Sequence, residues 1–264
     1  MDHDTANNKH TDNTATSRIE RMVGPSGLER LAATRVMVLG LGGVGSNCVE
    51  ALARGGIGHF VLLDRDVVEV SNINRQAIAF HSTLGQRKVD VTTRMIADIN
   101  PSAQVTTIFD FIREADLPDL FAHYVLGSDG QARVDWVIDA IDTISTKLAI
   151  AQLAQEQDWQ GHGIKLLASM GGGNKLHPEY LRFADIYDTV NCRMSRIMRK
   201  EARKRGIQSL RVLYSCEQAA PATSVEGAAR NERSGLGTMS YFPPIMGQML
   251  ASEVIRHTLE LDPE

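Results

Sequence analysis

The sequence is poor in cysteine: Cys48, Cys192 and Cys216 are widely separated and no CxxC pair occurs. A structural zinc of the paired-CxxC kind is therefore excluded. An odd, sparse set of thiols fits a reducing cytoplasm better than a disulfide framework. No stretch approaches the roughly 20 apolar residues that cross a bilayer. The opening residues, MDHDTANNKHTDNTATS, are polar and carry acids without an apolar core. They predict a disordered tail over 1–17 and no secretory signal. A large excess of one charge is also lacking. The net charge of -4 argues against a generally basic nucleic-acid binder and leaves room for a local basic face.

What is present is ordinary for a globular protein: 264 residues, 43% apolar and 23% charged, enough for one large α/β domain or one domain plus a smaller appendage, read here as a single domain over 18–264. The chain from Arg18 to Ala33 predicts a helical lead-in broken at Gly24-Pro25. RVMVLG (35–40) is a Val-rich apolar run of the kind buried on both faces of a sheet. Glycines follow, then SNCVEALARGG, whose Val49, Leu52 and Ala53 fit a helix ending at Gly55. HFVLLDRD (59–66) is a second buried strand, completing a βαβ unit. Helical spacing runs from Gly85 to Ile99, and QVTTIF (104–109) alternates as a strand does. WVIDAID (136–142) predicts a strand ending in acids, followed by a helix over 145–157. IKLLASMGGG (164–173) predicts a strand entering a glycine turn. Strands alternating with helices imply a Rossmann-type α/β fold, a mostly parallel sheet with helices on both faces. Past Gly173 the alternation fades into a helix-rich C-terminal portion. It holds a basic helix-rich insertion at about 184–206 and a last helix beginning near Pro244.

The phosphate signal is Gly40-Leu-Gly-Gly-Val-Gly45, a GxGGxG turn between strand and helix. Gly40, Gly42, Gly43 and Gly45 let backbone approach phosphate, and the helix start offers unpaired N–H groups. Asp64, nineteen residues past Gly45, falls at a strand end where it can accept ribose hydroxyls. The motif alone is equally natural for a nicotinamide dinucleotide.

Neighbouring residues tilt the choice toward ATP. Asp66, SNINRQ (71–76) and GQRKVD (85–90) follow, and Arg75 and Lys88 are cations that can return to the same crevice. A triphosphate needs that compensation more than a dinucleotide does. Asp139 and Asp142 sit at the carboxyl end of a later strand, where open α/β sheets bind ligands. A carboxylate there can hold magnesium on the phosphates. Plainer roles exist for each: surface charge for Arg75 and Lys88, helix capping for the two acids, an Asx-turn for Asn72.

Taken together, these residues resemble the ubiquitin-activating-enzyme-like adenylating superfamily, and within it the tRNA threonylcarbamoyladenosine dehydratases. The similarity runs from about Arg18 to Gly173. It is carried by GLGGVGSNCVEALARGGIG, DRDVVEVSNINRQ, GQRKVDV, INP and DAIDTISTK. NINRQ, the spacing from Asp139 to Lys147 and the GGG turn favour the dehydratase branch. The resemblance implies an ATP loop at Gly40, Gly42, Gly43 and Gly45, and ribose binding by Asp64, with Asp66 beside it. It implies phosphate contacts from Asn72, Arg75 and Lys88, and magnesium on Asp142. Arg18 and Arg21 stand where relatives carry RxxR, and in the family an arginine there reaches the neighbouring subunit's active site. A homodimer with Arg21 as a catalytic residue is therefore implied, though RIER also reads as a solvated helix start.

The implied reaction adenylates the threonyl carboxylate of threonylcarbamoyladenosine in tRNA, after which the carbamoyl group closes the ring and releases AMP. A cytoplasmic enzyme is expected. Two readings compete: activation of the C-terminal glycine of a small ubiquitin-like sulfur carrier, and NAD-dependent oxidation. The absent CxxC pairs count against the first. A sulfur-transfer partner protein and a bound monovalent ion stay open. Relatives carry a cysteine near ERSGLGTMS, where this chain has Arg233 and Ser234, so no role transfers from it. Seven cations within Arg193–Arg205 make that helix the candidate for meeting tRNA phosphates, or else a solvated face.

Overall fold

The computed structural model describes residues 14–111, 113–218 and 236–261. Seven strands form one sheet in the order β3-β2-β1-β4-β5-β7-β6. They are β1 (Arg35–Leu39), β2 (His59–Leu63), β3 (Gln104–Ile108), β4 (Trp136–Asp139), β5 (Lys165–Ser169), β6 (Leu181–Asp185) and β7 (Arg211–Ser215). All neighbours pair in parallel except β6, which runs antiparallel along β7.

The helices are α1 (Ser17–Ala33), α2 (Gly45–Arg54), α3 (Lys88–Ile99), α4 (Leu117–Tyr124), α5 (Ile144–Glu156), α6 (Arg193–Lys204) and α7 (Phe242–Thr258). Strand β1 shows why they cover both faces. Side chains alternate along a strand, so Val36 and Val38 enter a core with α2, α3 and α7. Met37 and Leu39 enter a second core with α4 and α5. All four are fully buried, each worth roughly 1.5–3 kcal/mol of burial. A third core packs α5 and α6 against β5 and β7.

The helix α1 begins at Ser17, the last residue of the predicted tail, and residues 1–13 lie outside those described. Gly24 takes φ +70° and breaks α1 where the Gly-Pro pair predicts it. The stretch past Gly173 is not helical throughout: β6 and β7 extend the sheet, and the basic helix is confined to Arg193–Lys204. RVLYS (211–215) forms β7 by pairing in parallel with β5 and antiparallel with β6. The prolines Pro243 and Pro244 open α7, where a missing N–H costs nothing. Among the described residues no helix is long and apolar enough to cross a membrane.

Candidate active site

Strand order reverses between β1 and β4, and a crevice opens outside their carboxyl ends, the position expected of ligand sites in open α/β sheets. A cavity of about 430 Å³ lies there. Its walls follow the strand ends: Gly40, Gly42 and Gly43 after β1, Asp64 and Asp66 after β2, Asp142 after β4, Gly172 and Gly173 after β5. Asn72, Arg75 and Lys88 close it from the segment between β2 and α3. Residues spread over more than a hundred positions of sequence thus share one crevice.

The glycine loop is shaped by contact. Gly40 has φ +88°, and a Cβ on Gly45 would sit 1.8 Å from the Gly40 carbonyl oxygen. Gly45 therefore lies beneath the turn and does not line the cavity, a correction to its expected place among the ligand-facing glycines. Gly42 differs: a Cβ there would meet nothing nearer than the Gln76 amide nitrogen at 4.0 Å. Packing within the chain does not demand a glycine at that position. Close approach of a ligand to the backbone supplies a reason. The loop feeds directly into α2, and Gly43 and Val44, just before its first residue, line the cavity, so the positive end of the helix dipole lies next to it.

Asp64 ties this loop to β2. It is buried, with Oδ2 accepting the Leu41 N–H at 2.6 Å and Oδ1 accepting the Asp66 N–H at 2.7 Å. Each oxygen retains capacity for a ribose hydroxyl. Asn72 is partly committed as the plainer reading allowed: its Oδ1 accepts the Glu69 N–H at 3.1 Å and closes a tight turn. That turn holds Arg75, whose Nη1 donates to the Ser71 carbonyl and to Asn74 Oδ1, both at 2.9 Å. The Arg75 stem also covers Gly43, where an added Cβ would lie 3.1 Å from Arg75 Cγ. Lys88 is 5% exposed and its Nζ lies 3.0 Å from Asp66 Oδ2. Asp66 thus positions Lys88 and partly offsets its charge.

The two acids of DAID divide. Asp139 is not available to a metal: its Oδ2 pairs with Lys147 Nζ at 3.0 Å, and both side chains are buried. Lys147 Nζ also donates to the Asp139 and Ile141 carbonyls, each at 3.1 Å. Burial pushes the Asp139 carboxyl above the ordinary carboxylate range, against the opposing pull of Lys147. By capturing those carbonyls, Lys147 ends β4 at Asp139, three residues before the predicted end. The released loop presents Asp142 at the crevice. Asp142 is exposed, and its one described contact is with the Thr143 hydroxyl at 3.4 Å.

Arg21 does not join this cluster. It is exposed on α1, and neither it nor Arg18 lines the cavity of its own chain. None of the three cysteines lines the cavity either. Cys48 is sealed inside α2, where burial pushes its thiol up. Cys192 caps α6, its Sγ accepting the Ser195 N–H at 3.5 Å, and Cys216 follows β7. Arg233 and Ser234 lie outside the described residues.

Sequence reasoning passed over several wall residues. Arg65 stacks on Phe111 at 4.3 Å, and both line the cavity with Asp110 and Thr146. Gln76, the last residue of the NINRQ phrase, is buried in the wall, and its Oε1 has no hydrogen-bond partner. An orphaned amide oxygen costs about 1–3 kcal/mol, which a bound donor at this wall would recover. Only its place in the quoted phrase pointed to it.

The pattern of the ThiF family matches residues 16–264. The tRNA threonylcarbamoyladenosine dehydratase of Bacillus subtilis (strain 168) is 40% identical over 202 residues, 76% of this chain and 74% of that one. The crystal structure of the Escherichia coli tRNA N6-threonylcarbamoyladenosine dehydratase in complex with AMP superposes with a TM-score of 0.77 at 25% identity. It covers 92% of this chain and 93% of the other. The same enzyme in complex with ATP gives 0.76 at 26% identity, covering 92% of each.

Proposed function

The chain belongs to the ThiF family, and from that premise we propose that it is an ATP-dependent dehydratase of threonylcarbamoyladenosine in tRNA. One observation carries the reading: glycine loop, Asp64, Arg75, Lys88 and Asp142 converge on a single crevice at the sheet's carboxyl edge. Similarity to dehydratases with ATP and AMP complexes supports it.

In this reading the backbone of Gly40–Gly43 and the start of α2 receive the phosphates, and Asp64 accepts from the ribose. The substrate's carboxylate oxygen attacks the α-phosphorus as the bond to pyrophosphate breaks, its electron pair leaving with pyrophosphate. Arg75 and Lys88 hold the phosphoryl oxygens in line and offset the charge that builds on them. The Lys88 ammonium, held by Asp66, is already positioned for this and needs only to be shared with phosphate. The carbamoyl group of the same nucleoside then closes on the activated carbonyl, and the lost carboxylate oxygen departs in AMP. Both reacting groups belong to one nucleoside, so proximity lowers the barrier without an enzyme thiol. That fits the burial of Cys48 and the absence of cysteine from the crevice.

Magnesium fits Asp142 through hard-oxygen chemistry, since its carboxylate has no cationic partner among the described residues while Asp139 and Asp66 have theirs. No group of three or more His, Cys, Asp or Glu among the described residues could hold a metal. The ion would take its remaining oxygens from the nucleotide and water, as magnesium commonly does. When bound, it neutralises charge on the leaving pyrophosphate.

The competing readings predict different dependencies. Incubation with ATP, magnesium and bulk tRNA is expected to remove one water from the threonylcarbamoyl nucleoside, read by nucleoside mass. Pyrophosphate exchange that needs a Gly-Gly-ended carrier protein and ignores tRNA would instead favour sulfur-carrier activation. Nicotinamide binding would favour the oxidoreductase.

Arg21 is exposed and lines no part of its own chain's crevice; on the family resemblance we propose a cytoplasmic homodimer in which this side chain serves the neighbouring subunit's crevice. Mixing Arg21→Ala with Asp142→Ala subunits tests that directly. Random exchange of two inactive chains in a twofold dimer leaves roughly a quarter of the sites intact, so activity should return to about that share. No recovery after verified subunit exchange would remove Arg21 from the site.

A further inference from the structure

We propose that the ridge Arg193, Arg196 and Lys200 on α6 is the surface that receives the phosphate backbone of tRNA and leads the modified adenosine to the crevice. This rests on the dehydratase reading for its partner, but the surface itself is argued from α6.

The helix buries Ser195, Met198 and Ala202. At roughly 100° per residue, Arg193, Arg196 and Lys200 fall on the opposite side of α6, and all three are exposed. None forms a side-chain hydrogen bond or ion pair with another described residue. The other four cations of the basic run are engaged. Arg199 Nη1 donates to the Thr189 carbonyl at 2.7 Å and to its hydroxyl. Arg203 lies over the Tyr187 ring at 5.2 Å. Lys204 pairs with Glu201 at 2.8 Å and Arg205 with Glu114 at 3.6 Å. Of the seven cations, only Lys204 and Arg205 pair with an acid among the described residues, and of the other five Arg193, Arg196 and Lys200 are the three whose side chains are left there without a hydrogen bond, ion pair or ring contact. In a chain of net charge -4, that is a local positive strip on an acidic molecule.

Placement gives the strip its direction. The start of α6 is fastened to the glycine turn that roofs the crevice. A Cβ on Gly171 would lie 3.7 Å from Met194 Cβ, and Gly172 and Gly173 line the cavity. Behind them, the buried Lys175 donates to the Asn191 carbonyl at 3.4 Å and to the Glu217 carbonyl. The Glu217 carboxylate accepts the Leu176 N–H at 3.1 Å and the His177 N–H at 3.2 Å. Asn191 Nδ2 donates to the Cys216 carbonyl at 2.9 Å. These bonds tie the segment leading into α6 to the chain that follows the glycine turn. A polyanion lying along the roughly 10 Å from Arg193 to Lys200 thus follows a helix whose first turn packs beside Gly171, the residue before the cavity-lining Gly172 and Gly173. An RNA fits better than an anionic membrane, because Met198 and Ala202 are buried in the protein core and the one exposed large apolar side chain of α6, Ile197, is too little to insert a helix face into lipid. Duplex RNA is read through backbone and shape, so three aligned cations suffice without base contacts.

The test is tRNA binding by the intact protein across a salt series. Compared are wild type, the triple variant Arg193→Gln/Arg196→Gln/Lys200→Gln and the control Lys204→Gln/Arg205→Gln. Loss of up to three phosphate contacts should make the log-affinity against log-salt slope shallower by about 2, with at least about tenfold weaker binding at low salt. The control should change the slope by less. ATP affinity and turnover at saturating tRNA should stay at wild-type values, since the ridge touches no reacting atom. An unchanged slope in the triple variant, or stronger binding to anionic vesicles than to tRNA by the wild type, would overturn the assignment. A wild type that binds tRNA with the steep slope yet forms no AMP would sink the catalytic reading and leave the ridge standing.

Discussion

Replacing Asp142 with Asn or Ala is expected to abolish adenylation while leaving the fold untouched. The side chain is exposed and touches only the Thr143 hydroxyl, at a marginal 3.4 Å, so its removal should move stability by no more than about 0.5 kcal/mol. Its proposed work lies in the transition state. Losing one preorganised electrostatic contact to developing charge typically costs about 10²–10³ in rate, and losing an anchor for the metal should reach at least that range. AMP formation and pyrophosphate release with bulk tRNA are the measurements, alongside a melting curve. Nucleotide binding without magnesium should be preserved, because the glycine loop, Asp64 and Arg75 remain. A variant that stays active with ordinary magnesium dependence refutes the assignment.

That the sequence marks both Asp139 and Asp142 as candidates, and the structure parts them, shows what a chain does and does not declare. The phosphate loop is legible because its cause is local. Strand, glycines and helix follow one another, and Asp64 stands at a fixed distance along the next strand. Lys88 and Asp66 are twenty-two residues apart, and nothing in either phrase says that one neutralises the other. Their pairing appears only when α3 returns to the end of β2. The same holds for β6 and β7. A short edge strand such as LRFAD, with an arginine and an aspartate, carries no periodicity that overrides the basic helix after it. Likewise, a row of seven cations looks uniform until the fold supplies Thr189, Tyr187, Glu201 and Glu114 as partners for four of them. The sequence names chemical types; the fold decides which of them are already spent.

Lys147 is the clearest case of a charge spent in this way, and it supports a prediction of opposite kind to that for Asp142. Its ammonium is fully buried and answers three oxygens: the Asp139 carboxylate and the carbonyls of Asp139 and Ile141. Substituting Met leaves the Asp139 carboxylate buried without a counter-charge and two carbonyls short of a donor. Breaking a buried pair from one side costs about 3–5 kcal/mol, so Lys147→Met should lower the unfolding free energy by that amount, measured by urea denaturation. Burial already raises the Asp139 carboxyl against the pull of Lys147. Without Lys147 that acid should take up a proton well above the usual carboxylate range, so the variant should lose less stability at low pH than at neutral pH. Adding Asp139→Leu removes the stranded charge, and the double variant should recover much of the lost stability. It should not recover activity, because the carbonyls that turn the chain toward Asp142 would still lack their donor. If the double variant regains full adenylation along with its stability, Lys147 contributes nothing to presenting Asp142, and the proposed link between the buried pair and the metal-binding acid is wrong.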